Sequence, residues 1–369
     1  MDKYTVDQFV KVAKRENNKK RKYLYVNPLQ GKHIPVIPKK ALNVFKDMAL
    51  LLDGHYSGER ILAIGFAETA TAIGFGVAFY SDTIKYCTQT TREKYDDAKY
   101  IHFTEIHSHA TAQSLIVNNY DTIISQIDRI IFVEDEVTTG NTICRLIDEL
   151  NKKYKGLKYG ILSILNSMSE KRLLELKKRD ITCVFLKKIP FEYHSRELEE
   201  FDFKLSNSLN RDSACQYTFQ EMPNYYNPRY CYNVKKYFEG LSKFLGDFEN
   251  RNNICSKRIL ILGTEEFMFF GLKLGELLQN KGMSVKFHAT TRSPIMVSES
   301  EEYPLHSRFE LISFYDKKRK TYIYNLERYD EVYVLTDSPH ISEGALEDIC
   351  AVLGTVGCRI VNILRWKSE

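Results

Sequence analysis

Val133-Glu134-Asp135-Glu136-Val137-Thr138-Thr139-Gly140-Asn141-Thr142 is the stretch whose reading decides the fold of this chain. The apolar run ahead of it, Ile130-Ile131-Phe132-Val133, predicts a buried strand, and Ile143-Cys144-Arg145-Leu146-Ile147 after it opens a helix. Between them stand two carboxylates and a Thr/Gly/Asn loop. A strand, loop and helix of this composition aim free backbone N–H groups and the positive end of a helix dipole at an anion, above all a phosphate. Carboxylates at the strand end can accept hydrogen bonds from sugar hydroxyls or hold a hydrated Mg²⁺. A phosphate cradle beside a diol reader fits a ribose 5-phosphate. The plain alternative is a strand ending in an acidic turn and a helix cap.

Outward from this stretch, strand-like runs alternate with helical patterns, which predicts an α/β fold with mainly parallel sheets. A helix is expected over Tyr4 to Lys14, short extended pieces over Tyr23 to Val26 and His33 to Val36, and an amphipathic helix over Ala41 to Leu52. Strands follow at 61–64, 84–88, 130–133, 160–165 and 182–186, with helices between them. Three divisions result: a first domain over 1–190, an aromatic-rich connector over 191–255, and a second domain over 256–369. The connector carries too many Tyr and Phe residues for a disordered linker and is expected to pack, with a helix around Val234 to Phe248 closing it.

The second domain reads as a degenerate repeat of the first. Arg60 to Gly65 returns as Arg258 to Gly263, Tyr86 to Glu93 as Phe287 to Ser293, and Asp128 to Asp135 as Asp330 to Asp337, in the same order and at nearly constant spacing. The acidic pair becomes Thr336-Asp337, and the loop becomes Ser338-Pro339-His340-Ile341-Ser342-Glu343-Gly344. Pro339 removes a backbone donor and Glu343 would repel a phosphate, so the first copy is expected to carry the chemistry.

The stretch 133–142 resembles the signature of type I phosphoribosyltransferases, which use phosphoribosyl pyrophosphate (PRPP). By that resemblance Glu134 and Asp135 contact the ribose 2′- and 3′-hydroxyls, and Thr138, Thr139, Gly140, Asn141 and Thr142 wrap the 5′-phosphate. Thr291-Arg292-Ser293-Pro294 in the second domain, with Gly31 to Pro35 and Glu105 to Ala110, narrows the resemblance to the TRSP-domain phosphoribosyltransferases. It covers nearly the whole chain and implies two Rossmann-like parallel-sheet domains, the first with the type I fold. It also implies Mg²⁺, a bacterial setting of tellurite-resistance and stress operons, and a nucleoside-like product made beside ATP-grasp and phosphatase-like enzymes. Type I enzymes usually dimerise, so a homodimer is one expectation and an internal pseudo-dimer of the two domains another.

Gly65 to Ala70 occupies the place of the type I pyrophosphate loop, with Ala67, Glu68 and Thr69 at its centre. Glu68 departs from the family, where many members carry Arg or Lys, although a carboxylate also suits a helix's first turn. Arg92, in Thr90-Thr91-Arg92-Glu93, can neutralise a leaving pyrophosphate, and Thr291, Arg292 and Ser293 form the counterpart turn. A surface salt bridge is the ordinary role for either arginine. Glu105, His107 and His109 alternate on one face of an extended segment, with His102 nearby. They suit a hood over PRPP and its acceptor, a zinc ligand set, or ordinary surface histidines. Thr138 stands where purine-salvage relatives carry an Asp that manages a ring proton, which argues against a purine acceptor and leaves an orotate-like or other acceptor open.

Composition bounds the partners. The net charge of +5 and pI of 8.5 are too mildly basic for a nucleic-acid binder, and the densest basic run, Lys19 to Lys22, suits a solvated helix end. Eight cysteines without C-x-x-C or zinc spacing fit a reducing compartment, and no stretch has the apolar length of a membrane span, so a cytoplasmic protein is expected. The reading is a Mg²⁺-dependent transfer of the 5-phosphoribosyl group from PRPP to a small-molecule acceptor. The alternatives are a PRPP-sensing regulator without turnover, suggested by Glu68, and a nucleotide-binding scaffold built on the second domain.

Overall fold

The computed structural model describes residues 3–16, 22–103, 113–190, 198, 201–213, 215–223, 226–252, 254 and 256–366. They form two compact units that interleave along the chain. The first unit comprises 1–4, 43–193 and 226–241; the second comprises 5–42, 194–225 and 242–369.

The first unit is built on a six-stranded sheet. Its order is Tyr232–Asn233, Ile84–Gln89, Ile61–Gly65, Arg129–Val137, Lys158–Asn166 and Ile181–Lys188, all parallel except the two-residue edge strand. The first two parallel strands in the chain are exchanged in space, so the strand order reverses between Ile61–Gly65 and Arg129–Val137. In open parallel sheets such a reversal leaves a crevice beyond the carboxyl ends of the two strands. Their apolar runs supply the core: Ile61 to Ile64 and Ile130 to Val133 are completely buried. The predicted strand at 130–133 is longer than expected. It continues through Glu134 to Val137, and burial gives way to partial exposure at the three consecutive carboxylates. Gly65 allows the helix Thr71–Tyr80 to come close, because a β-carbon there would lie 2.8 Å from the Ala70 carbonyl oxygen.

The second unit has a five-stranded, wholly parallel sheet in the order Tyr217–Met222, Ile360–Trp366, Glu331–Thr336, Arg258–Gly263 and Ser284–Ala289. From Arg258 onward, its strands follow the spatial order 2-1-3-4, as do the first four parallel strands of the first unit. The fifth place is filled by Tyr217–Met222, from the segment read as a connector. Hydrogen bonding repeats too. Arg60 N–H donates to Asp128 at 2.8 Å and Arg258 N–H to Asp330 at 2.9 Å, while Phe66 N–H meets the Val133 carbonyl and Thr264 N–H the Leu335 carbonyl, each at 3.1 Å.

The expected helix over Tyr4 to Lys14 is corrected by the structure. Only Val6–Phe9 is helical, and Lys11–Lys14 is a strand paired antiparallel with Tyr23–Val26. Val12 and Ala13 suit a pleated partner as well as a helix face, and the nearby strand supplies the backbone bonds. The helix Pro38–His55 is longer than the amphipathic run that predicts it. Among the described residues, no helix is long and apolar enough to cross a membrane.

Candidate functional site

At the strand-order reversal of the first unit, two loops face each other. The first follows Ile61–Gly65 and contains Ala67, Glu68 and Thr69; the second follows Arg129–Val137 and contains Thr138 to Gly140. Thr69 Oγ1 donates to Asp135 Oδ1 at 2.9 Å and thereby ties them together. The first loop is held from behind. Ala67 N–H donates to Thr90 Oγ1 at 2.8 Å, Gln113 Nε2 donates to the Ala67 carbonyl at 2.6 Å, and Thr90 N–H caps the Gly65 carbonyl at 2.9 Å. The peptide bond between Ala67 and Glu68 is cis, and Glu68 is buried.

Glu134 is in an unusual electrostatic position. Burial raises its pKa well above the ordinary carboxylate range, the negative charges of Asp135 and Glu136 push the same way, and the nearby Arg92 guanidinium opposes them. Arg92 therefore lies near the acidic strand end. Such a crowded set gains from an added cation or from sugar hydroxyls that donate to it.

The second loop meets the demands of an anion cradle. Gly140 is in the left-handed region with φ of +67°, and it is the N-cap of the helix Asn141–Lys153. The first turn of that helix, including Asn141 and Thr142, leaves backbone N–H groups without intrahelical acceptors, at the positive end of the dipole. Burial of Ile143, Cys144, Leu146, Ile147 and Leu150 fixes this helix against the core, so its end is rigidly aimed. Thr139 Oγ1 accepts from Asn141 N–H at 3.4 Å.

Arg172 was not legible as part of this site. It lies on the helix Glu170–Lys178, capped by Ser169, and reaches the loop. Its Nε donates to the Thr139 carbonyl at 2.8 Å, and Nη2 donates to Asn141 Oδ1 at 3.1 Å, while Nη1 pairs with Glu175 at 3.1 Å. Arg172 thus braces the loop at Thr139 and Asn141. Gln113 was missed as well; neither residue belongs to a motif, and only the fold brings them in.

Residues 9–187 match the phosphoribosyl transferase family, and residues 239–353 match the TRSP domain that lies C-terminal to that transferase. The chain belongs to the TRSP-bearing phosphoribosyltransferases. Among solved structures, this phosphoribosyltransferase is similar to the adenine phosphoribosyltransferase of Rhodothermus marinus, at 12% identity over 50% of this chain and 96% of that one, with a TM-score of 0.34. It is also similar to the Saccharomyces cerevisiae enzyme, at 11% identity over 49% and 96% with a TM-score of 0.33. For the Giardia lamblia enzyme the figures are 13%, 50%, 94% and 0.35. No curated protein matches the sequence.

Two groups of predicted residues remain in this phosphoribosyltransferase. Glu105, His107 and His109 lie outside the described residues. The strands leading to them, Tyr100–His102 and Ser114–Ile116, pair antiparallel, and His102 Nδ1 is 2.7 Å from Ser114 Oγ. In the second unit, Thr291 exchanges backbone hydrogen bonds with Tyr322 at 2.9 and 2.7 Å and accepts from Ser293 N–H at 3.2 Å. The resulting turn directs Arg292 onto buried carboxylates of its own unit. Its Nε is 2.5 Å from Glu265, and its Nη2 is 3.5 Å from Glu266. Arg319 joins Glu265 at 2.8 Å, Ser313 donates to the other oxygen, and buried Lys32 donates to the Glu265 carbonyl at 2.5 Å. Glu265 N–H donates to Thr290 Oγ1 at 3.0 Å, as Ala67 N–H does to Thr90, so a carboxylate side chain stands where the first unit has a methyl group.

Proposed function

We propose that the first unit transfers the 5-phosphoribosyl group of PRPP to a small-molecule acceptor with release of pyrophosphate. The observation that carries this reading is the hydrogen bond from Thr69 to Asp135, which joins the loop suited to pyrophosphate to the acidic strand end suited to the ribose diol. Around it, Glu134 and Asp135 would accept from the 2′- and 3′-hydroxyls. Thr138, Thr139, Gly140, Asn141 and Thr142 would hold the 5′-phosphate through N–H groups, hydroxyls and the helix dipole. Ala67, Glu68 and Thr69 would line the diphosphate, whose charge grows as the bond at C1 breaks, and Arg92 would offset that charge. The protein contributes positioning and electrostatics and needs no covalent nucleophile.

The donor set fits Mg²⁺ shared with substrate. Among the described residues, no three His, Cys, Asp or Glu side chains form a metal-binding group, but Glu134 and Asp135 offer hard oxygen donors that repel each other. When bound with the diphosphate, Mg²⁺ supplies the positive charge that neutralises it and completes its coordination with substrate oxygens and water. Thr138 disfavours a purine acceptor, and the family resemblance favours a biosynthetic product of nucleoside type.

A regulator that senses PRPP without turnover is the second reading, supported by buried Glu68 in the place of a basic residue. Calorimetric titration of PRPP with Mg²⁺ tests both readings. Wild-type protein should bind, and a Glu134→Gln, Asp135→Asn double variant should not, at unchanged circular dichroism. Equal binding by the folded double variant would sink the site, and binding without pyrophosphate release for any acceptor would favour the sensor.

A further inference from the structure

Cys215 and Cys350 lie together in the second unit, remote in sequence and unused by the site above. Cys215 precedes the strand Tyr217–Met222, and Cys350 lies in the helix Glu343–Thr355. Cys215 N–H donates to the Cys350 carbonyl at 3.3 Å, and Cys215 Sγ is 3.4 Å from the same oxygen. A backbone hydrogen bond of that length limits the two Cα atoms to at most about 7 Å, against the roughly 4.4–6.8 Å that a disulfide usually spans. Both cysteines line one surface hollow of about 350 Å³, shared with Arg211, Tyr217, Leu346 and Glu347. A small oxidant can therefore reach Cys215, which is partly exposed, with buried Cys350 directly behind it, whereas Cys87, Cys144, Cys231 and Cys358 are buried away from this hollow.

We propose that Cys215 and Cys350 are a dithiol that peroxide oxidises to a disulfide, tying the start of the strand Tyr217–Met222 to the helix Glu343–Thr355. The order of events follows from the surroundings. Cys215 is the partly exposed member of the pair, and its neighbour Cys350 lowers its pKa, while Cys215 and burial raise that of the buried Cys350. Cys215 is the nucleophile. Its thiolate gives an electron pair to one peroxide oxygen, the O–O bond breaks, and the departing hydroxide takes a proton to become water. Cys350 sulfur then attacks the sulfenic sulfur of Cys215. The S–S bond forms, the S–O bond breaks, and hydroxide leaves as water with the Cys350 proton. Two thiols lose two electrons and one peroxide becomes two waters.

The test treats the full-length protein with hydrogen peroxide and maps peptides by mass spectrometry without reduction. The expected result is a linked pair of peptides containing Cys215 and Cys350, two hydrogens lighter than their sum and separated again by dithiothreitol. Cys215 should be lost about tenfold faster than Cys183, the other described cysteine with partial exposure. In Cys350→Ser, Cys215 should accumulate as a sulfenic acid that dimedone traps; in Cys215→Ser, no linked peptide should form. Recovery of both cysteines as thiols after an excess of peroxide would overturn the proposal. So would sulfinic acid at Cys215 in the wild-type protein without any linked peptide.

Discussion

Replacing Gly140 isolates the backbone contribution to the proposed phosphate binding. Gly140 sits at φ of +67°, where an L-residue with a β-carbon costs about 1–2 kcal/mol. The added Cβ would lie 2.9 Å from Met168 Cε, the flexible end of a side chain that can move aside, so Gly140→Ala mainly pays the backbone cost. Thr139 beside it is exposed, which lets the free loop relax out of the strained form. Binding must then restore that form, and PRPP affinity should fall by roughly 5- to 30-fold. Calorimetry with PRPP and Mg²⁺ measures the affinity, and a thermal melt measures the fold. Gly140→Val, with its branched β-carbon, should lose more binding than Gly140→Ala while melting near the wild type. Gly140 has no such role if Gly140→Ala binds PRPP as tightly as the parent, or if both variants lose stability and keep their affinity.

Other changes separate the remaining roles. Arg172→Ala removes a charged donor from the Thr139 carbonyl, so the KM for PRPP should rise about tenfold with little change in kcat, and Arg172→Lys should recover only part; an unchanged KM would remove Arg172 from the site. Glu134 keeps its proton to higher pH in the fold than in the unfolded chain, so its contribution to stability is complete below the ordinary Glu range and declines as pH rises through the window above it. Glu134→Gln should therefore melt higher than the wild type at neutral pH, and an identical pH slope in the two proteins would contradict this. Arg292→Ala leaves the buried Glu265 carboxylate poorly compensated and should cost about 3–5 kcal/mol, read by denaturant unfolding, whereas exposed Glu343→Ala should change little. PRPP should saturate at one equivalent per chain, because the second unit fills the corresponding loop with Glu265 and has Pro339 and Glu343 after its strand end; two equivalents would overturn that asymmetry.

Local patterns carried much of this fold. Long apolar runs such as Ile130 to Val133 and Ile61 to Ile64 become strands because they can be buried on both faces, and the Thr/Gly/Asn loop announces a helix start through its own chemistry. Short segments were less legible. Lys11–Lys14 and Tyr217–Met222 are strands because a partner strand, nearby in sequence for the first and distant for the second, completes their backbone bonds, and Tyr217–Met222 has an exposed, aromatic pattern that resembles a packed connector. The same holds for the site. Glu134, Asp135 and Gly140 stand in one contiguous motif, while Arg172 and Gln113 reach it only through tertiary packing. Nothing local in Lys32 signals that its ammonium will be buried against the carbonyl of Glu265.

Transfer of a phosphoribosyl group is proposed to occur at the Glu134–Asp135 strand end. The most direct measurement incubates the protein with PRPP, Mg²⁺ and a cell-lysate metabolite pool, and follows pyrophosphate and new phosphoribosyl compounds by mass spectrometry. Wild-type protein should release pyrophosphate in step with one new phosphoribosylated product, and the folded Glu134→Gln, Asp135→Asn variant should yield neither. Equal product from the double variant would place the reaction away from Glu134 and Asp135.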